Sequence, residues 1–181
     1  MGGNSLMIGL RREDLQIRDA YPGDREAIRQ VTLSAFQEYA SAMPSRWEEY
    51  RRHILETLAD VKSAEQIVAE HDGAILGTIL LYPAGTTFSR PGGAPSALAG
   101  PEVRLLAVAP AARAQGIGTA LMRECIRRAR RSGAPVLTLH TTDRMSVAMR
   151  MYERMGFVRA PELDFQVDEE LTVKGYRLKL E

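Results

Sequence analysis

Val103–Ser132, VRLLAVAPAARAQGIGTALMRECIRRARRS, runs from an apolar segment through a proline and two glycines into an amphipathic helix. Val103, Leu105, Leu106, Ala107 and Val108 form a near-continuous apolar run, the composition of a strand buried on both faces. Pro110 has no amide hydrogen and a fixed φ, so the ladder ends there. From Gly118 onward, apolar residues recur at Leu121, Met122, Cys125 and Ala129, while Arg123, Glu124, Arg127, Arg128, Arg130 and Arg131 take other faces. This spacing is helical, and Gly133 supplies the stop.

Between strand and helix lie Arg113-Ala114-Gln115-Gly116-Ile117-Gly118. Glycines tolerate positive φ and leave room for another molecule against the backbone. The first amides of a helix have no internal partners and sit at the positive end of its dipole. The turn therefore predicts an anion site suited to a phosphate or pyrophosphate. A P-loop is excluded, because no G-x-x-x-x-G-K-[ST] occurs. The turn also lacks the third glycine and the early chain position of a dinucleotide fold.

Leu106-Ala107-Val108-Ala109-Pro110 followed by Arg113-x-x-Gly116-x-Gly118 resembles the acyl-CoA-binding core of the GNAT superfamily of N-acyltransferases. The resemblance implies that the CoA pyrophosphate binds on Arg113, Ala114, Gln115, Gly116, Ile117, Gly118 and Thr119. It also implies that the pantetheine arm pairs with the strand at Leu106, Ala107 and Val108, in a slot where the two strands flanking the helix splay apart.

The whole chain is consistent with that reading. Its 181 residues suit one domain with a real core, expected over residues 13–181 after a loose leader at 1–12. Charged residues make up 26% and the net charge is +1, so there is no strong bias toward nucleic acid or membrane. The single cysteine, Cys125, excludes an internal disulfide, fits a reducing compartment and reads as helix packing. The sequence shows no apolar run of membrane-spanning length and no signal-peptide h-region. Leu6 stands where a myristoylation site needs Ser or Thr. The expectation is a soluble cytoplasmic protein.

A short strand is expected at Leu15–Ala20, a helix from Pro22 to Tyr39 and a second from Pro44 to Asp60. Gln66–Glu70 and Ala74–Tyr82 read as a hairpin around His71-Asp72-Gly73. Pro83–Pro101 has no periodicity and reads as a loop. Val136–His140 is a strand, Ser146–Met155 a helix, and Phe157–Arg159 and Leu171–Leu180 closing strands joined by an acidic turn at 168–170. The order β-α-α-β-β-β-α-β-α-β-β predicts an α/β fold: a mixed, mostly antiparallel GNAT-like sheet with helices on both faces. One parallel pair flanks the glycine-led helix.

Acyl transfer from a thioester to an amine poses two proton problems. The amine must lose a proton to attack, and the thiolate leaving group benefits from receiving one. Tyr152, in Tyr152-Glu153-Arg154-Met155-Gly156-Phe157, resembles the family's Y-E-x-x-G-F segment, which implies an acid facing the CoA sulfur. One departure is Met145, where the family often has Asn. Glu102, opening the core strand, stands where many relatives carry a carboxylate base acting through water, with Arg104 placed to neutralise it. His140 is a rival base. His53 and His71 have no His or Cys partner at ligand spacing, so no metal site is expected. The thioester carbonyl needs a donor, which the resemblance assigns to the backbone amide near Val108.

The resulting expectation is an acetyl-CoA-dependent N-acetyltransferase working by direct transfer in a ternary complex on a primary amine, with a small or amino-acid-like acceptor favoured. Phe36, Tyr39, Met43, Trp47, Tyr50, the Pro83–Pro101 loop and Asp164-Phe165 are the acceptor-side candidates. The alternatives are a non-catalytic acyl-CoA-binding or sensing domain, against which Tyr152 counts, and a protein N-terminal or lysine acetyltransferase. The arginine-rich helix has no helix-turn-helix partner and no interleaved aromatics, which argues against nucleic-acid binding. The resemblance also implies a homodimer.

Overall fold

The computed structural model describes residues 14–61, 63–89, 94–169 and 171–181; the leader expected over 1–12 lies outside them. β1 (Gln16–Asp19) leads through a 3-10 turn at Pro22–Asp24 into α1 (Arg25–Phe36). α1 buries Ile28, Val31, Thr32, Ala35 and Phe36, an i, i+3, i+4 stripe. Thr32 is tolerated there because its hydroxyl donates to the Ile28 carbonyl at 2.8 Å. A 3-10 segment, Gln37–Ala42, connects to α2 (Trp47–Ala59), which buries Trp47 and Ile54.

β2 (Glu65–His71) and β3 (Ala74–Tyr82) form the expected hairpin, with Asp72 and Gly73 both at positive φ (49° and 76°). Two positive φ values match the right-handed twist of the paired strands. The stretch read as a plain loop carries a two-stranded ribbon, β4 (Thr87–Phe88) with β5 (Ser96–Ala97). Its anchor is tertiary: the Phe88 ring packs edge-on against Tyr82 at 4.8 Å and lies 3.6 Å from the Arg104 guanidinium.

β6 (Glu102–Val108), α3 (Ile117–Arg131), β7 (Val136–Thr141) and α4 (Ser146–Arg154) follow as expected. The closing region is richer than the sequence suggests. After β8 (Val158–Arg159) comes a 3-10 turn at Pro161–Leu163, then β9 (Phe165–Gln166), and β10 (Thr172–Lys179) pairs with both β8 and β9. The acidic turn therefore joins β9 to β10, and its Glu170 lies outside the described residues.

The main sheet runs β1-β2-β3-β6-β7-β10-β8, and its parallel pair is β6 with β7. α3 and α4 cover one face, where Ile79, Val103, Leu121, Met122, Leu137, Leu139 and Tyr152 share a core. α1 and α2 cover the other, around Ile28, Phe36, Trp47, Ile54, Val68 and Ala107. Cys125 is fully buried in the first core, and burial pushes its thiol up to about 12, so it packs and does not react. Among the described residues no helix is long and apolar enough to cross a membrane.

Candidate active site

The site begins with a divergence of strands. β6 pairs with β3 from Glu102↔Tyr82 up to Val108↔Gly77, but with β7 only at Glu102↔Thr138 and Val103↔Leu139. β7 meanwhile stays paired with β10 through Thr141. At the parting, Leu105 adopts φ 48° and the β3–β6 register shifts between Thr78 and Leu80, a bulge that bends β6. Beyond Val103, no described strand pairs with the β7-facing edge of β6, so its backbone groups at Leu106–Val108 are open to an extended partner. This is the splayed slot expected from the resemblance.

The anion turn sits at the upper end of that edge. Pro110–Ala112 forms a 3-10 turn, after which Ala114 (φ 61°) and Gly116 (φ 82°) both take left-handed backbone. Gly116 caps α3, and its conformation turns successive amides toward one concavity at the positive end of the helix. Ile117 is 1% exposed, so its side chain anchors the turn in the core. A β-carbon on Gly118 would lie 3.5 Å from Met151, 3.7 Å from Val108 and 3.9 Å from Leu106, which fits, but a larger side chain there would fill the slot. The turn thus joins left-handed backbone at Ala114 and Gly116 to the N-terminus of α3, beside the open edge of β6.

Arg113 does not point freely into that concavity. Its guanidinium donates to Glu38 at 2.5 Å and to the Ala35 carbonyl at 3.0 Å, tying the turn to the end of α1. Nothing in the sequence spacing marks Glu38, and the sequence reading missed it. Next to it, burial and then the Glu38 carboxylate push the Tyr39 hydroxyl up to about 12.

Tyr152 lies in the α3–α4 core, 7% exposed, with its ring 6.0 Å from that of Phe157. Burial pushes its hydroxyl above the usual tyrosine range, so it remains protonated at neutral pH. Met145, where the family often has Asn, packs against the α1–α2 core.

Glu102 alternates with Val103 and so projects from the opposite face of the sheet to Tyr152. It is not the solvated strand-mouth carboxylate that its position suggests: it is 1% exposed. The Arg104 Nε donates to its Oε1 at 2.7 Å, and His140 Nδ1 lies 3.3 Å from its Oε2. Burial pushes the Glu102 carboxyl up, but His140 and Arg104 outweigh it and hold the group below its ordinary value.

Asp164, an acceptor-side candidate, already has partners of its own. Arg159 grips both its oxygens (2.9 and 2.8 Å) and holds it down at about 2, while its Oδ1 also accepts the Gly175 amide at 2.8 Å. Across the same face, Arg46 at the start of α2 pairs with Asp168 in the β9–β10 turn, so the α1–α2 segment and the last hairpin meet. Among the described residues no group of His, Cys, Asp and Glu side chains is arranged to hold a metal.

Comparison with known proteins agrees with this geometry. The acetyltransferase (GNAT) family profile matches residues 32–157. The chain is 30% identical to S-(2-succino)cysteine N-acetyltransferase of Bacillus subtilis, over 81% of this chain and 86% of that protein. It is also 30% identical to mycothiol acetyltransferase of Cellulomonas flavigena over 79% of this chain, though it spans only 40% of that protein's length. Among solved structures, a GNAT-family acetyltransferase of Desulfovibrio desulfuricans superposes with TM-score 0.66 at 20% identity, covering 92% of this chain and 99% of that one. A Brucella melitensis GNAT acetyltransferase in complex with acetyl-CoA superposes with TM-score 0.59 at 24% identity, covering 92% and 88%. With its diverging strands and amide-lined turn, the chain belongs to the GNAT family and is an acetyl-CoA-dependent acetyltransferase.

Proposed function

We propose that this enzyme moves the acetyl group of acetyl-CoA directly to the primary amine of a small, amino-acid-like acceptor, both substrates being bound together. The observation that carries this reading is the divergence of β6 from β7 after Val103 and Leu139, with Tyr152 and Glu102 on opposite faces of the sheet. A thioester in that slot would have an acid on one side and a carboxylate on the other. The amides of residues 114–118 would hold the diphosphate, and the free edge of Leu106–Val108 would hold the pantetheine arm. The backbone amide near Val108 would take the charge that develops on the thioester oxygen.

Tyr152 gives its proton to the departing sulfur, and Glu102 receives, through water, the proton that the ammonium must lose. The single cysteine, Cys125, is not placed to form an acyl-enzyme, being buried and protonated. The acceptor class is supported by the Bacillus subtilis relative, whose named substrate is a cysteine derivative. The test is initial-velocity kinetics with acetyl-CoA against amino acids, S-substituted cysteines and short peptides. Intersecting double-reciprocal lines with a small amino-acid acceptor support the proposal. Parallel lines overturn direct transfer, and turnover confined to peptides or proteins overturns the acceptor class.

A further inference from the structure

The mechanism proposed above asks Glu102 to accept a proton, yet the Arg104 guanidinium donates to its Oε1 at 2.7 Å and so favours the charged carboxylate over the protonated acid. The geometry around His140 resolves this difficulty. His140 sits in β7 opposite Gly175 of β10, its side chain 11% exposed. Its Nε2 lies 3.0 Å from the Leu163 carbonyl. A carbonyl only accepts, so Nε2 carries the hydrogen and the tautomer is fixed. The 3-10 turn that bears Leu163 lies directly on β10 because residue 175 is glycine: a β-carbon there would collide with the Leu163 side chain. The Phe165 ring closes the other side, 5.4 Å from the imidazole in an edge-on contact.

With Nε2 committed as donor, a neutral imidazole turns the lone pair of Nδ1 toward Oε2 of Glu102, 3.3 Å away. Nδ1 is buried and has no hydrogen-bond partner in line with it. Two lone pairs then face each other across a gap that a single proton would bridge. Arg104 of β6 holds the far oxygen of Glu102, and Tyr82 of β3 stands near both. Among the described residues, the 3-10 turn, β9 and β10 bring to the pair the Leu163 carbonyl, the Phe165 ring and the backbone of Gly175, and Asp164 close by is paired with Arg159.

We propose that Glu102 and His140 act as one proton acceptor: the proton arrives at Oε2 of Glu102 and settles on Nδ1 of His140, which is a positioning and proton-storing residue. This rests on the assignment of Glu102 as the base. The balance is simple. The acceptor ammonium loses one proton to the pair, the neutral nitrogen forms the C–N bond, and the C–S bond breaks. Tyr152 gives its proton to the sulfur and regains one from the nitrogen. The pair then releases its proton to solvent, so each cycle frees one proton.

The test is the pH dependence of kcat with saturating substrates, for wild type, His140→Gln and Glu102→Gln. In the wild type kcat falls toward acid as the pair fills. His140→Gln removes the nitrogen on which the proton settles, so the acid limb then reports the Glu102 carboxyl alone and changes position. Its plateau falls roughly 10-fold or more and is restored in part by added imidazole in His140→Ala. Glu102→Gln lowers kcat by about 100-fold or more. Loss of activity in Glu102→Gln with an unmoved limb in His140→Gln overturns the role of His140 and leaves Glu102 standing. Full activity of Glu102→Gln overturns both. Should the His140 variants not fold, the nitrogen-15 signals of His140 in the wild type decide the matter. The proposal requires the Nε2–H form above the acid limb and protonation of Nδ1 through it, and an Nδ1–H form at high pH contradicts it.

Discussion

Arg113, on the turn that would hold the CoA diphosphate, donates to Glu38, 75 positions earlier in the chain, at 2.5 Å. The same guanidinium caps the Ala35 carbonyl at the end of α1. The glycine turn and the end of α1 are thus joined by one side chain, whose charge is already offset by Glu38. Glu38→Gln frees the charge while keeping the bond to Ala35. Acetyl-CoA should bind about 2–5-fold more tightly to this variant, a small gain because both groups are well exposed and screened. Calorimetric titration reads this directly, and weaker binding would show that Glu38 orders the turn instead.

Tyr152→Phe removes one hydroxyl and keeps the ring packed against Phe157. If that hydroxyl protonates the sulfur, kcat falls by roughly 100-fold or more with little change in acetyl-CoA affinity. A kcat within a few-fold of wild type would reduce Tyr152 to a packing residue.

Gly118→Trp places an indole where Met151, Val108 and Leu106 converge. Acetyl-CoA binding should be lost while the thermal transition persists, since the side chain projects into the slot and not into the core. Unchanged affinity would move the cofactor elsewhere.

The buried thiol of Cys125 supplies an alkaline signature. Burial raises it from an ordinary 9.0 to about 12, so the folded chain keeps a proton that the unfolded chain loses. Its contribution to stability is complete below pH 9.0 and disappears as pH rises toward about 12. Tyr50 and Tyr152, raised by burial from 10.0, act in the same direction above that pH. Urea midpoints should therefore fall as pH rises above 9, and Cys125→Ala should flatten the first part of that fall. Parallel curves for the two proteins would contradict the assignment.

What the sequence made legible was whatever its local pattern fully determines. The β6–turn–α3 unit could be read because a buried strand, a proline stop, two glycines and a helical period all agree. Tyr152 could be read because its segment matches a family motif. The two-residue strands β4, β5 and β9 could not, since Phe88 acquires its place only by lying on Arg104 and Tyr82. Asp164 looked available because its partner Arg159 meets it only where the 3-10 turn lies back on β10. Glu102 and His140 are distant in sequence and meet because β6 and β7 are parallel neighbours for just two residue pairs.

Direct acetyl transfer to an amine is best read from CoA thiol release when acetyl-CoA meets a panel of amino acids and substituted cysteines. Each reaction is to be checked for the N-acetylated product by mass spectrometry. The expected result is amine-dependent thiol release, stoichiometric with N-acetyl product, abolished by Gly118→Trp and strongly reduced by Tyr152→Phe. Tight acetyl-CoA binding without turnover of any primary amine, peptides included, would contradict it and mark the chain as an acyl-CoA-binding domain that has kept the slot without the chemistry.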